Sequence, residues 1–124
     1  MNSRKFYITT SIPYVNADPH CGFALEAVET DTIARYRRLA GDDVRFLSGT
    51  DENALKNVQA AEKAEVPVKE FIDERAKNFF KLKQALNLSW DDFIRTTEER
   101  HIKGAQKFWL QTKKEDMYKK VYKG

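Results

Sequence analysis

The chain has 124 residues, of which 41% are hydrophobic and 12% aromatic, enough for one packed domain or part of one. Charged residues make up 33%, but 22 Lys and Arg side chains against 19 Asp and Glu leave a net charge of only +3. This mixed, mildly basic composition argues against a disordered chain and does not by itself indicate a nucleic-acid-binding protein.

The single cysteine excludes an internal disulfide and a metal site made of several cysteines, and it is typical of a reducing cytosol. No apolar run approaches the ~20 residues of a membrane span, and the first residues lack the apolar stretch of a signal peptide. These features predict a soluble, cytoplasmic protein with no membrane partner.

The first predicted elements form a βαβ unit. Residues 6–12 are rich in β-branched and aromatic side chains and predict a strand, and residues 44–47 predict a second one. The intervening helix is predicted to end at Gly41. It is predicted to bury a face of Leu25, Val28, Thr32, Tyr36 and Leu39. Strand, helix and strand within about forty residues indicate parallel pairing with a right-handed crossover.

Further helices and one more strand are predicted downstream. The next helix has an inner face of Leu55, Val58 and Ala61, and another runs from Pro67 to Leu86. Residues 91–97 predict a third strand. Thr97 is predicted to cap a last helix whose inner face is Ile102, Ala105 and Trp109. The alternation predicts an α/β fold, a Rossmann-like parallel sheet with flanking helices.

The two tryptophans and one aspartate also carry structural predictions. Trp90 and Trp109 are predicted core residues. Asp31 falls on the apolar side of the first helix, and an ion pair with Arg35, four residues on, is the simple explanation for it.

Two polar stretches, SIPYVNADPHCGF (11–23) and SGTDEN (48–53), follow the first two predicted strands. Ligands of parallel sheets gather at the carboxyl ends of strands, and a helix beginning near Gly22 would direct N–H groups at a phosphate. Taken alone, however, His20 in such a loop is more often a surface or capping residue, and Asp51 is more often an N-terminal cap. Neither residue decides the function by itself.

Together, the stretches FYITTSIPYVNADPHCGF, DTIARYRRLAGDDVRFLSGTDEN and DDFIRTTEERH resemble the beginning of the methionyl-tRNA synthetases, which are class I aminoacyl-tRNA synthetases. The resemblance covers nearly the whole chain. It implies the first half of a class I catalytic domain, and a methionine–tRNA ligase that uses ATP (with Mg²⁺) to form methionyl-adenylate and transfers the methionine to tRNA(Met).

The resemblance also assigns the methionine-binding residues. Ile12 and Tyr14 match positions that line the pocket for the methionine side chain, and Asp51 matches the carboxylate that holds the substrate ammonium group. The residue types agree, because an apolar residue beside an aromatic ring suits a thioether and an acidic group suits an ammonium ion.

On the ATP side, His20 and Gly22 match the signature members implied to be catalytic, which stabilise charge while the methionine carboxylate attacks the α-phosphate. Asn16 lies in the same signature loop. Phe23 stands where the signature has its final histidine, so it contacts ATP without a hydrogen bond. Losing one bond to a charged group costs about 1.5–3 kcal/mol, or roughly one to two powers of ten in rate, which weakens the enzyme without abolishing the chemistry.

Other family parts have no counterpart in these 124 residues: the second half-sheet with its Lys-Met-Ser-Lys-Ser-like loop, the connective domain, and the anticodon-binding domain. We therefore expect residues 1–124 to be the N-terminal half of the Rossmann-like catalytic domain, truncated before the connective domain. Little or no turnover, no bound zinc, and self-association through apolar surface are the expected properties of this chain.

Two alternatives stay open at this point. One is a non-catalytic module that binds a nucleotide or an amino acid, or a truncated relative with a partner-binding role. The other is a different nucleotidyl-transferring enzyme, which has no reason to share the SGTDEN motif (48–53).

Overall fold

A three-stranded parallel sheet organises the chain in the computed structural model, which describes residues 3–113, 115 and 117–121. The elements in chain order are β1 (Lys5–Thr9), α1 (Cys21–Leu39), β2 (Asp43–Thr50), α2 (Leu55–Lys63), α3 (Val68–Ala85), β3 (Asp92–Arg95) and α4 (Glu99–Gln111). The strand order is β1-β2-β3, with both pairings parallel. The predicted α/β class, parallel sheet and βαβ unit are confirmed.

The strand boundaries differ from prediction for local reasons. Strand β1 ends at Thr9 rather than at residue 12, because the backbone leaves the sheet where the Ser11 N–H donates to the Glu26 carboxylate of α1 at 2.5 Å. Strand β2 runs to Thr50, further than predicted, because its last residues pair with β3: Thr50 lies opposite Arg95.

Helix α1 ends at Leu39, and Gly41 terminates it as predicted, one residue beyond the C-cap Ala40. The Gly41 φ angle is +90°, in the left-handed region that glycine tolerates. Its N–H donates to the Arg38 carbonyl at 3.0 Å, and the Asp42 N–H donates to the Arg37 carbonyl at 3.1 Å. These two bonds form a Schellman motif, which turns the chain directly into β2.

The buried apolar residues form two clusters. One contains Val15, Phe23, Ala61, Phe71, Ile72, Ala76 and Phe79. The other contains Ala27, Ala34, Phe46, Leu88 and Trp90. Trp90 is 2% exposed, so its predicted place in the core is confirmed.

The predicted inner face of α1 is wrong. Leu25, Val28, Thr32, Tyr36 and Leu39 are all exposed. The buried face consists of Phe23, Ala27, Thr30, Asp31 and Ala34. These side chains are mostly small, so the helix can lie close to the sheet. The prediction was based on hydrophobicity alone and therefore chose the opposite face of the helix.

The predictions for α2 and α4 are also partly wrong. Leu55 is exposed, and Asn57 is buried beside Ala61 instead. Thr97 does not cap α4, because Glu98 occupies that position and the Thr97 hydroxyl donates to Glu52. No residue of α4 is buried within the described part of the chain. The expected inner face is exposed, with Trp109 at 68%. Among the described residues, no helix is long and apolar enough to cross a membrane.

The predicted pair of Asp31 and Arg35 is confirmed, with 2.6 Å between Asp31 Oδ2 and Arg35 Nε. The other oxygen, Oδ1, accepts from the Ser89 N–H at 2.6 Å and from the Ser89 hydroxyl at 2.5 Å. Burial alone would raise the pKa of Asp31, but the Ser89 and Arg35 hydrogen bonds outweigh it and hold the pKa below its usual value. Asp31 thus fastens α1 to the segment that leads into β3.

Because the pKa of Asp31 is lower in the folded chain, its stabilisation is present above the unfolded-state pKa and is lost as the pH falls through the folded-state value. We expect Asp31→Asn to lower the free energy of unfolding by about 1–3 kcal/mol at pH 7, and to lose less stability than wild type between about pH 5 and pH 2. Urea unfolding across this range measures both effects. Asp43→Asn, at an exposed aspartate, is the control, and equal acid sensitivity of Asp31→Asn and wild type would contradict the assignment.

A second prediction concerns Gly49, the buried second-to-last residue of β2. A Cβ atom at Gly49 would lie 2.2 Å from the Ile94 carbonyl oxygen of β3, a contact that requires the strands to separate. We expect Gly49→Ala to lower the free energy of unfolding by more than about 2 kcal/mol. Gly104→Ala is the matched control, because nothing lies within 4 Å of that Cβ position in α4 and alanine favours a helix by about 1 kcal/mol. Thermal unfolding with equal midpoints for the two variants would refute the argument.

Candidate functional site

The two predicted polar loops meet beyond the carboxyl ends of β1 and β2. The Asp51 N–H donates to the Pro13 carbonyl at 2.9 Å, and Tyr14 and Asp51 form an isolated parallel β-bridge. Two residues assigned to methionine binding are therefore backbone neighbours, although 37 positions separate them in the sequence.

His20 is the N-cap of α1. Its Nδ1 accepts the Gly22 N–H at 3.0 Å, so the capping role considered from the sequence is correct. The same bond occupies the Gly22 N–H, which is therefore not free for a phosphate as the sequence suggested. In a neutral imidazole that accepts at Nδ1, the proton resides on Nε2. The exposed His20 ring thus keeps one N–H donor for a ligand.

Gly22 supports this cap by its size. A Cβ atom there would lie 2.9 Å from His20 Cε1 and 3.0 Å from Nδ1, so a larger residue would displace the imidazole. In this structure, position 22 requires glycine because the His20 ring leaves no room for a side chain.

A pocket of about 290 Å³ opens beside the cap. Its lining residues are Pro13, Tyr14, Asn16, Ala17, Asp18, His20, Phe23 and Phe79. Three of the four residues assigned to ATP, Asn16, His20 and Phe23, therefore share one cavity with Tyr14. Ile12 and Asp51 are not among the described residues that line it.

Phe23 forms part of the floor of this pocket. It is 5% exposed, and its ring meets the Phe79 ring edge to face with centroids 5.5 Å apart. The residue therefore belongs both to the pocket wall and to the hydrophobic core.

Asp18 anchors the same loop to α3. Its carboxylate lies 2.6 Å from Arg75 Nη1 and accepts from Asn78 Nδ2 at 2.8 Å. The Arg75 hydrogen bond, followed by that of Asn78, lowers the pKa of Asp18, so the carboxylate is charged at neutral pH. The loop that carries Asp18 is thereby held against α3.

Asp51 has one occupied and one available oxygen. Its Oδ1 accepts from the Asn53 N–H at 3.2 Å and faces the Thr96 hydroxyl at 3.5 Å, whereas no hydrogen bond among the described residues reaches Oδ2. Asp51 does not cap α2, because the N-cap is Ala54 without a side-chain bond. The half-buried carboxylate can therefore accept from a cationic ligand.

Ile12 and Tyr14 present exposed apolar surface on either side of Pro13, whose carbonyl accepts from the Asp51 N–H. The Lys56 ammonium lies 5.8 Å from the centre of the Tyr14 ring, which fixes one face of the ring by a cation–π contact. Exposed apolar side chains beside an unpaired carboxylate oxygen form a surface suited to an amphipathic cation.

Sequence reasoning missed the ion pair between the buried Glu52, which follows Asp51, and the partly exposed Arg95. Glu52 is 4% exposed, and its carboxylate lies 2.6 Å and 3.0 Å from Nε and Nη2 of Arg95. Thr50 donates to it at 2.8 Å, and Thr97 also donates. The Glu52 hydrogen bond, followed by that of Asp73, raises the pKa of Arg95. The signal in the sequence that could have indicated this ion pair is Arg95, a charged residue within a predicted strand.

Candidate metal ligands do not cluster in this region. Among the residues that the structure describes, no group of three His, Cys, Asp or Glu side chains is placed to hold a metal ion. The single cysteine, Cys21, is an exposed free thiol at the start of α1.

Comparisons with known proteins identify the family of the chain. The family model described as "tRNA synthetases class I (M)" matches residues 6–124. The chain is 50% identical over 121 residues to the methionine–tRNA ligase of Thermotoga maritima, an alignment that covers 97% of the chain and 19% of that protein. It is 45% identical over 125 residues to the methionine–tRNA ligase of Brucella suis, with 100% and 24% covered.

The fold is also that of a solved relative. The structure of Mycobacterium tuberculosis methionyl-tRNA synthetase in complex with methionyl-adenylate superimposes with a TM-score of 0.84 at 46% identity, covering 86% of this chain and 21% of that one. The chain spans 19% and 24% of the length of the two curated relatives. With the family matched from Phe6 onward and the same fold, this chain belongs to the methionyl-tRNA synthetases of class I.

Proposed function

We propose that residues 1–124 form the N-terminal half of a class I catalytic domain, and that the whole protein is a methionine–tRNA ligase. In that reaction a carboxylate oxygen of L-methionine attacks the α-phosphorus of ATP, pyrophosphate leaves, and the methionyl group then passes to tRNA(Met). The observation that carries the proposal is the bridge between Tyr14 and Asp51, because it brings the two signature loops of the family together. The cytoplasm, where translation takes place, is the corresponding location.

Asp51 is proposed to bind the ammonium group of methionine. Its Oδ2 is available while Oδ1 is held by the loop, and an ion pair with hydrogen bonding is the strongest contact a carboxylate offers to an amine. Ile12 and Tyr14 supply apolar surface for the thioether side chain. Together these residues suit a ligand with an ammonium group and an apolar side chain.

His20 is proposed to stabilise the α-phosphate. Its Nδ1 is fixed by the Gly22 N–H at 3.0 Å, so Nε2–H is the donor that remains for a phosphoryl oxygen as negative charge develops. Asn16 and Phe23 line the adjoining pocket and are proposed to contact the nucleotide. ATP arrives as its Mg²⁺ complex, and neither this ion nor zinc is assigned a ligand in this segment.

The chain by itself is proposed to associate through its exposed apolar surface. Leu39 on α1 and Trp109 and Leu110 on α4 are exposed, and burying such side chains between copies releases about 25 cal/mol per Å². Association of this kind does not involve Asp51 or His20.

Binding of a non-hydrolysable methionyl-adenylate analogue, measured by calorimetry, tests the site. We expect wild type to bind, Asp51→Ala to lose at least about tenfold in affinity because the ammonium group loses its counter-ion, and His20→Ala to weaken binding by a smaller factor. Asp43→Ala is the matched control, since Asp43 begins β2 at the opposite end of the strand. An absence of binding by wild type, or equal affinity in Asp51→Ala, would refute the proposed site.

A second prediction separates binding from turnover. Half of a class I site lacks several groups that stabilise charge and position ATP, each of them worth kilocalories in the barrier. We therefore expect methionine-dependent exchange of pyrophosphate into ATP by the 124-residue chain to be near background. Exchange close to the rate of a full-length synthetase would show that the half-site is sufficient.

A further inference from the structure

Thr96 occupies the position directly after β3, beside the SGTDEN loop. Its N–H donates to the Thr50 carbonyl at 3.2 Å, which extends the pairing between β3 and β2 by one residue. The residue is 5% exposed. Its hydroxyl therefore lies inside the protein, next to the two acidic residues of the loop.

The hydrogen-bond direction at this hydroxyl follows from its partners. The Glu52 N–H donates to Thr96 Oγ1 at 2.7 Å, so the oxygen is the acceptor in that bond. The hydroxyl proton is consequently free to be donated, and Asp51 Oδ1 lies 3.5 Å from Oγ1. The Thr96 carbonyl also accepts from Asn53 Nδ2 at 3.3 Å.

The strand end that carries Thr96 is itself fixed. Its neighbour Arg95 binds both oxygens of Glu52 and, at 2.5 Å, Asp73 of α3. Its other neighbour, Thr97, donates to Glu52. Both neighbours bond the Glu52 carboxylate, whereas the Thr96 hydroxyl accepts from the Glu52 N–H and faces Asp51 Oδ1.

We infer that Thr96 is a positioning residue for Asp51: its hydroxyl faces Oδ1 at 3.5 Å, the long limit of a hydrogen bond, and orients the carboxylate so that Oδ2 is presented to the ammonium group of the ligand. The inference rests on the proposed function. A threonine hydroxyl is suited to the task because it accepts from the loop backbone and donates to the carboxylate at the same time. Valine has the same shape and does neither.

The test uses the 124-residue chain with two calorimetric ligands, the methionyl-adenylate analogue and the same compound without its amino group. We expect Thr96→Val to lose about tenfold in affinity for the first ligand and to keep its affinity for the second. Thr96→Ser, which retains the hydroxyl, is expected to restore the preference for the amino group. Thr10→Val is the matched control, because it removes a buried hydroxyl that bonds Ser48 at 2.8 Å.

The outcomes separate this inference from the proposed function. A preference for the amino group that falls in Asp51→Ala but not in Thr96→Val overturns the role of Thr96 and leaves the proposed function standing. Wild type without any such preference overturns both. Thr96→Ala serves as a second, smaller variant, and loss of the far-UV circular dichroism of the fold in both Thr96→Val and Thr96→Ala would make Thr96 a purely structural residue and overturn the inference.

Discussion

The ion pair between Glu52 and Arg95 is the constraint on which the site depends. A carboxylate that is 4% exposed is costly unless its oxygens are fully bonded, and here a two-point contact with Arg95 is joined by hydroxyl groups of Thr50 and Thr97. The end of β2, the end of β3 and, through Asp73, helix α3 are therefore fixed relative to one another.

Two adjacent acidic residues have opposite roles because side chains alternate in direction along an extended segment. Glu52 is buried, and both of its carboxylate oxygens accept hydrogen bonds from neighbouring side chains, whereas Asp51 is half-buried and keeps one oxygen available. The buried acid supplies rigidity to the half-buried one. A carboxylate placed in this way loses little conformational freedom on binding a ligand, which favours affinity.

Local sequence signals predicted the helices and strands, but they did not predict which face of each helix is buried. The strand composition, the glycine at position 41 and Trp90 were predicted correctly because each depends on its own chemistry or on near neighbours. The face of α1 was wrong because the small residues Ala27 and Ala34 pack closely against the sheet, which hydrophobicity does not reveal. Glu52 and Arg95 are 43 positions apart, so their pairing is visible only once β2 and β3 are adjacent.

The burial of Phe23 gives a structural reason for a phenylalanine in place of the signature's final histidine. An imidazole at this position would bring polar nitrogens into the hydrophobic cluster to which Phe23 belongs, where an unpaired buried polar group costs about 1–3 kcal/mol. The phenyl ring instead contributes an edge-to-face contact with Phe79 at 5.5 Å. Phe23 thus gives up a hydrogen-bond donor to the nucleotide and packs better in the wall of the pocket. In this chain the proposed contact of the signature with phosphate therefore depends on His20, whose orientation is set by its bond to the Gly22 N–H at the start of α1.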